Sequence, residues 1–208
     1  AHTVLAARSP EKTAAAEVDL RASVSGASLE VVPLDLGDLA SVKAAADTIL
    51  EGHPAVDILV NNAGIMGIPE KTTADGFEMQ FGVDHLGHWA FTAHLLPALL
   101  ASTAPARIVT VTSSAHHMGR AVNPDNPHLR NGAYDPWKMY GQAKLANFHF
   151  AMGLQDELER VGADAVSSAA HPGLSNTELQ AVSVQETGGG ATQRFFRLLA
   201  DKVGMDPA

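Results

Sequence analysis

Five short apolar runs, spaced by segments of helix length, constrain this chain more than any other feature. They are His2 to Ala7, Leu29 to Leu34, Val56 to Val60, Ala106 to Thr112 and Ala163 to Ala169. None alternates cleanly between apolar and polar residues, so each is expected to be a strand covered on both faces. Helical patterns lie between them: Pro10 to Val24, a segment capped by Ser41 and running to Glu51, two stretches within 73–100, and Trp137 to Val161. Strands that alternate with helices predict an α/β fold with a parallel sheet. The 208 residues suffice for a single domain, 1–208, with a sizeable core, and no internal repeat or linker divides them. A last short helix is expected near 191–203.

Composition narrows the function. The net charge is −9, from 14 basic and 23 acidic residues. That balance argues against a nucleic-acid surface, which needs Lys and Arg on phosphates. The absence of cysteine excludes disulfides, Cys-ligated zinc and thiol catalysis. It fits an intracellular protein, and the cytoplasm is the expected location. No apolar run approaches the roughly 20 residues that span a bilayer. Ten histidines are present, but no H-E-x-x-H or comparable cluster. His85, His88, His116 and His117 are therefore expected as packing and loop residues, and no metal is expected.

The sharpest chemical feature is Tyr140-Gly141-Gln142-Ala143-Lys144. Residues at i and i+4 share a helix face. A free tyrosine ionises near pH 10 and is a poor acid or base at neutrality. A nearby cation lowers that value, so the pair suits carbonyl/alcohol interconversion. Alone the motif is weak, because a partly buried Tyr beside a solvated Lys is the ordinary occurrence. Its position decides. Asn61-Asn62-Ala63-Gly64 follows the third strand, Ser113-Ser114 the fourth and Pro172-Gly173 the fifth. All sit just beyond the carboxyl ends of strands, the edge where open α/β sheets bind ligands.

In that order and at those spacings, the chain resembles the short-chain dehydrogenase/reductase family, and more narrowly its retinol-dehydrogenase-like and actinobacterial members. LDLGDLASV (34–42), DILVNNAGIM (57–66), HLGHWAFTAHLLP (85–97), RIVTVTSSAHHMGR (107–120), YDPWKMYGQAKLAN (134–147) and HPGLSNTEL (171–179) carry the likeness. It implies a three-layer α-β-α Rossmann-type, doubly wound parallel sheet. It also implies hydride transfer between a nicotinamide cofactor and a small carbonyl or alcohol, with a hydrophobic substrate suggested by the retinol dehydrogenases. Tyr140 takes the acid/base role, and Lys144 binds the nicotinamide ribose and lowers the tyrosine pKa. Ser114, the second of its pair, holds the substrate oxygen. Asn62, Ala63 and Gly64 line the adenosine side, with Asp35 and Leu36 at the adenine. Pro172 and Gly173 stand beside the nicotinamide, and Thr177 reaches its amide or the pyrophosphate. Homodimers or homotetramers through the two long helices are usual in the family.

Cofactor choice follows from charge. The first strand here ends Ala6-Ala7-Arg8-Ser9, with Lys12 nearby and no acid before Glu11. A basic residue there suits a 2′-phosphate, so NADP(H) is expected over NAD(H), with Arg8 as its partner.

Two departures qualify the likeness. Asp84 stands where the family usually has an Asn, so a carboxylate is expected to pair with Lys144, weaken its effect on Tyr140 and slow the proton relay. The usual first strand, T-G-x-x-x-G-x-G turn and first helix do not precede His2, and no last strand follows Ala170, so the sheet reads as truncated at both ends. In the order 3-2-1-4-5-6 that first strand is central, and without it strands 2 and 3 should stand apart from the rest. The alternative to an enzyme is a non-catalytic or degenerate relative that binds without turnover. A serine hydrolase using Ser114 with His116 or His117 lacks the G-x-S-x-G elbow.

Overall fold

The computed structural model describes residues 1–173. The expected alternation is present. β1 (His2–Ala7) leads to α1 (Pro10–Ser23), then β2 (Ser28–Pro33) and α2 (Leu39–Gly52). β3 (Ile58–Asn61) leads to α3 (Met79–Phe81), a π-helical turn (Gly82–Leu86) and α4 (Gly87–Leu100). β4 (Ala106–Val111), a 3-10 turn (Ser114–Met118), α5 (Pro136–Val161) and β5 (Ala165–Ala170) complete it. The helix expected near 191–203 lies outside the described residues.

Every strand pairing is parallel, and the strands form two sheets, β1-β2 and β3-β4-β5. This is the division expected between the first two strands and the others. One core nonetheless spans both sheets. Val32 of the first sheet and Leu34 just after it share a buried cluster with Leu59 and Ile108 of the second, under Val42, Leu95 and Leu158 of the helices. Fully burying one such aliphatic side chain contributes about 1.5–3 kcal/mol. The opposite face differs from expectation. Among the described residues only α1 lies over it, against β1 and β2. Ile58 and Val60 of β3 are more than half exposed there, at 57% and 55%.

Local chemistry fixes the helix ends. Asp38, rather than Ser41, caps α2, because its carboxylate accepts from Ala40 N and Ser41 N. Ser41 sits inside the helix, and its Oγ accepts from Asp35 N at 2.9 Å. α5 begins with Asp135 accepting from Trp137 N and Lys138 N, followed by Pro136 at its first position. It ends at Gly162, whose φ of 68° is the left-handed conformation that glycine adopts without a Cβ clash. Between these caps α5 runs for 26 residues, packed along β4 and β5.

Candidate active site

Three segments meet where β3, β4 and α5 converge. The first is the turn after β3, which carries Asn62, Ala63 and Gly64. The second is the π-helical turn between α3 and α4, which carries Asp84. The third is α5, with Tyr140, Lys144 and Asn147 all buried on one face. Polar residues on a core-facing stripe need partners, and each has one.

The π turn exists because its backbone bonds elsewhere. Gly87 N reaches back five residues to Gly82 O. The Asp84 carbonyl accepts from Asn147 Nδ2 at 2.9 Å and from His88 Nδ1 at 3.0 Å. Asn147 also donates to Val111 O at 3.3 Å, and its Oδ1 lies 3.1 Å from His85 Nδ1. Asn147 therefore locks the bulged turn to α5 and to the end of β4. Its signal in the sequence is a lone amide on an otherwise apolar stripe, three residues beyond Lys144.

The turn aims the Asp84 side chain inward. Oδ1 accepts from Ile65 N at 2.8 Å, and Oδ2 lies 3.2 Å from Lys144 Nζ. Both side chains are almost wholly buried. Burial pushes the Asp84 carboxyl up, while Lys144 and the Ile65 amide pull it back. Lys144 Nζ also lies 5.6 Å from the centre of the Tyr140 ring. Burial pushes the Tyr140 phenol up as well. Lys144 lowers it, Asp84 raises it, and the Ser113 hydroxyl favours the ionised form.

Gly64 completes the floor of this cluster. A Cβ on it would lie 3.2 Å from Lys144 Nζ and 3.4 Å from Asp84 Oδ1. A second close approach, between the 3-10 turn and α5, sets the height of the serine loop. A Cβ on Gly119 would lie 2.3 Å from Gly141 O, so the two glycines let backbone pack on backbone.

Of the two serines, Ser113 is the one whose hydroxyl meets Tyr140 here. Ser113 is the extended residue that caps the 3-10 turn, with its Oγ accepting from Ala115 N at 3.2 Å. That places its hydroxyl against Tyr140. Ser114, one residue on, is exposed on the outside of the turn. The sequence alone does not separate adjacent serines, because which one faces α5 depends on how the strand runs into the turn.

The other expected cofactor contacts are placed less tightly. Asn62 and Ala63 are exposed beyond β3. Pro172 and Gly173 are exposed beyond β5, with Gly173 at φ 72°. Arg8 is exposed just after β1. Asp35 uses its carboxylate locally, accepting from Gly37 N at 2.8 Å. Leu36 is buried in the main core, so its side chain is turned away from the open edge. Thr177 lies outside the described residues.

A polar network not expected from the sequence braces the loop before α5. Gln80 Oε1 accepts from Gly67 N at 2.7 Å, and its Nε2 donates to Tyr134 Oη at 3.1 Å and Pro136 O at 3.0 Å. Glu78 Oε1 lies 3.1 Å from Tyr134 Oη. These bonds tie the turn after β3 to the start of the tyrosine helix.

Residues 1–125 match the short chain dehydrogenase family. The chain belongs to that family. Retinol dehydrogenase 13 of Homo sapiens is 42% identical over 176 residues, covering 85% of this chain and 52% of the relative. The chain thus spans about half the length of that relative. An uncharacterized protein from Mycobacterium paratuberculosis is 40% identical, with a TM-score of 0.72, over 99% of this chain and 68% of that one. A family member from Burkholderia phymatum, solved in complex with NAD, is 25% identical with a TM-score of 0.67, over 97% of this chain and 68% of that one. Members of the family use NAD(P)(H) and act on small molecules.

Proposed function

We propose that this short-chain dehydrogenase exchanges a hydride between NADP(H) and a hydrophobic aldehyde, ketone or alcohol, with Tyr140 as the general acid and base. One observation carries the reading: a buried phenol and a buried ammonium stand side by side at the carboxyl edge of a parallel sheet. The residues suit a nicotinamide nucleotide. Lys144 Nζ donates and accepts nothing, so it matches ribose hydroxyl oxygens, and the exposed backbone of Asn62 and Ala63 gives a surface for the adenosine half. The cofactor, when bound, supplies or accepts the hydride.

The chain's own residues move and steady the proton. Tyr140 Oη gives its proton to a carbonyl oxygen in reduction and takes one from an alcohol in oxidation. Ser113 donates to the same oxygen and steadies the phenolate between turnovers. Lys144 offsets the cost of a phenolate in a buried site, and Asp84 opposes it. NADP(H) is preferred through Arg8, exposed after β1 with no acid beside it. The hydrophobic substrate follows the retinol dehydrogenase likeness and stays an analogy of fold and family.

Trp89 on α4 and Met152 on α5 are half exposed, at 53% and 52%. They offer the apolar face for a homodimer or homotetramer, which light scattering tests. The cytoplasm is the proposed location, and cell fractionation tests it. For the activity itself, the test is turnover of NADPH and NADH against retinal, aliphatic and aromatic aldehydes. NADPH oxidation with a lower KM than NADH supports the reading. NADH preference removes the Arg8 assignment. Binding of either cofactor without turnover across the panel favours the non-catalytic alternative.

A further inference from the structure

At the opposite edge of the molecule, three residues distant in sequence converge. His2 opens β1, Glu30 lies in β2, and His53 caps the carboxyl end of α2. The parallel register pairs His2 with Ser28 and Val4 with Glu30. Alternation then puts His2, Ser28 and Glu30 on the face that carries Val32 into the core. At its amino end this face turns from apolar to polar, and the end of α2 comes down over it.

The donor atoms are close. His53 Nε2 lies 2.8 Å and His2 Nε2 3.3 Å from the same oxygen, Glu30 Oε2. All three ligand atoms lie within 4.8 Å of one another. The two rings are tilted at 33° with centroids 5.0 Å apart, so neither blocks the space between them. Bonds of about 2.0–2.2 Å to a tetrahedral zinc ion put neighbouring ligand atoms roughly 3.3–3.5 Å apart. The existing separations require only small side-chain rotations to reach that spacing. His2 Nδ1 lies 2.7 Å from Ser28 Oγ. A polar partner on the far ring nitrogen is what orients ligating histidines in established zinc sites.

We propose that His2, Glu30 and His53 form a binding site for a divalent transition metal of the zinc class, which clamps β1, β2 and the end of α2 together. Two imidazoles and a carboxylate leave a fourth position for water. The site lies at the amino ends of the strands, whereas Tyr140 and Lys144 lie beyond the carboxyl ends. The clamp therefore acts on stability and not on the hydride step.

The test uses the full natural chain without a polyhistidine tag, stripped with chelator and titrated with Zn²⁺ by calorimetry. Co²⁺ serves as the spectroscopic probe. One equivalent of Zn²⁺ per chain is expected, with tetrahedral Co²⁺ absorption that Zn²⁺ displaces and a Tm that rises with Zn²⁺. Glu30→Gln keeps the shape and hydrogen bonds of the cluster but removes its charge, and it is expected to weaken Zn²⁺ at least tenfold. His53→Gln should do the same, while His94→Gln, on the exposed face of α4, leaves affinity unchanged. Absence of saturable binding overturns the proposal. So does Zn²⁺ affinity in Glu30→Gln or His53→Gln equal to that of the wild type. Circular dichroism of each variant separates a lost ligand from a lost fold.

Discussion

Asp84 Oδ2 lies 3.2 Å from Lys144 Nζ, and the pair sits behind the Tyr140 phenol. The lysine is thus shared between a carboxylate that neutralises it and a tyrosine that needs it. An ionised Asp84 raises the Tyr140 pKa. Replacing it with an amide removes that effect. Asp84→Asn should move the Tyr140 limb of the alcohol-oxidation profile to lower pH. The kcat/KM profile against pH reads this directly, and an unmoved limb shows that Asp84 does not act through Lys144.

Ser113 and Ser114 make opposite predictions. Ser113→Ala removes a donor aimed at the reacting oxygen and should lower kcat by about 10²–10³. Ser114→Ala, on the exposed side of the turn, should stay within about threefold, as surface substitutions usually do. Steady-state kinetics on both variants decide which serine belongs to the site.

Gly64→Ala places a methyl 3.2 Å from the Lys144 ammonium. The lysine or the turn must shift by a few tenths of an ångström. Small displacements of positioned groups cost rate steeply, so kcat should fall roughly tenfold or more. The folded state should survive, because the flexible end of a lysine is what yields. A variant with wild-type kcat would show that the turn after β3 has room beside Lys144.

His88 gives the fold a dependence on pH. Burial lowers its pKa from 6.5 to about 4, so the folded state holds it neutral while the unfolded chain takes up a proton near 6.5. Its contribution is therefore present above about pH 6.5 and is lost as pH falls towards 4, on the order of 3 kcal/mol in all. Thermal unfolding between pH 8 and pH 4 should show the decline, and His88→Gln should flatten it.

How far the sequence reached follows from the range over which each signal acts. Tyr140 and Lys144 were legible because four residues make one helical turn, and the strands were legible because buried apolar runs are short and bounded. Asp84 was legible as a departure from the family pattern, although not the π turn that aims it. Ser113 was not separable from Ser114, since one residue of register decides it. The cap of α2 moved from Ser41 to Asp38 because both residue types cap, and only backbone geometry chooses. His2, Glu30 and His53 left no local signal at all, because separations of 28 and 23 residues are closed by strand pairing and helix packing. The exposure of Ile58 and Val60 also ran against a run of apolar residues that promised cover on both faces.

The central claim is that Tyr140 carries the proton of the hydride-transfer reaction. The most direct measurement is Tyr140→Phe, assayed for kcat and for NADPH affinity by fluorescence titration. Loss of a positioned acid and base should lower kcat by about 10²–10⁴, with NADPH affinity changed no more than a few-fold. A Tyr140→Phe protein that turns over within tenfold of the wild type would contradict the account.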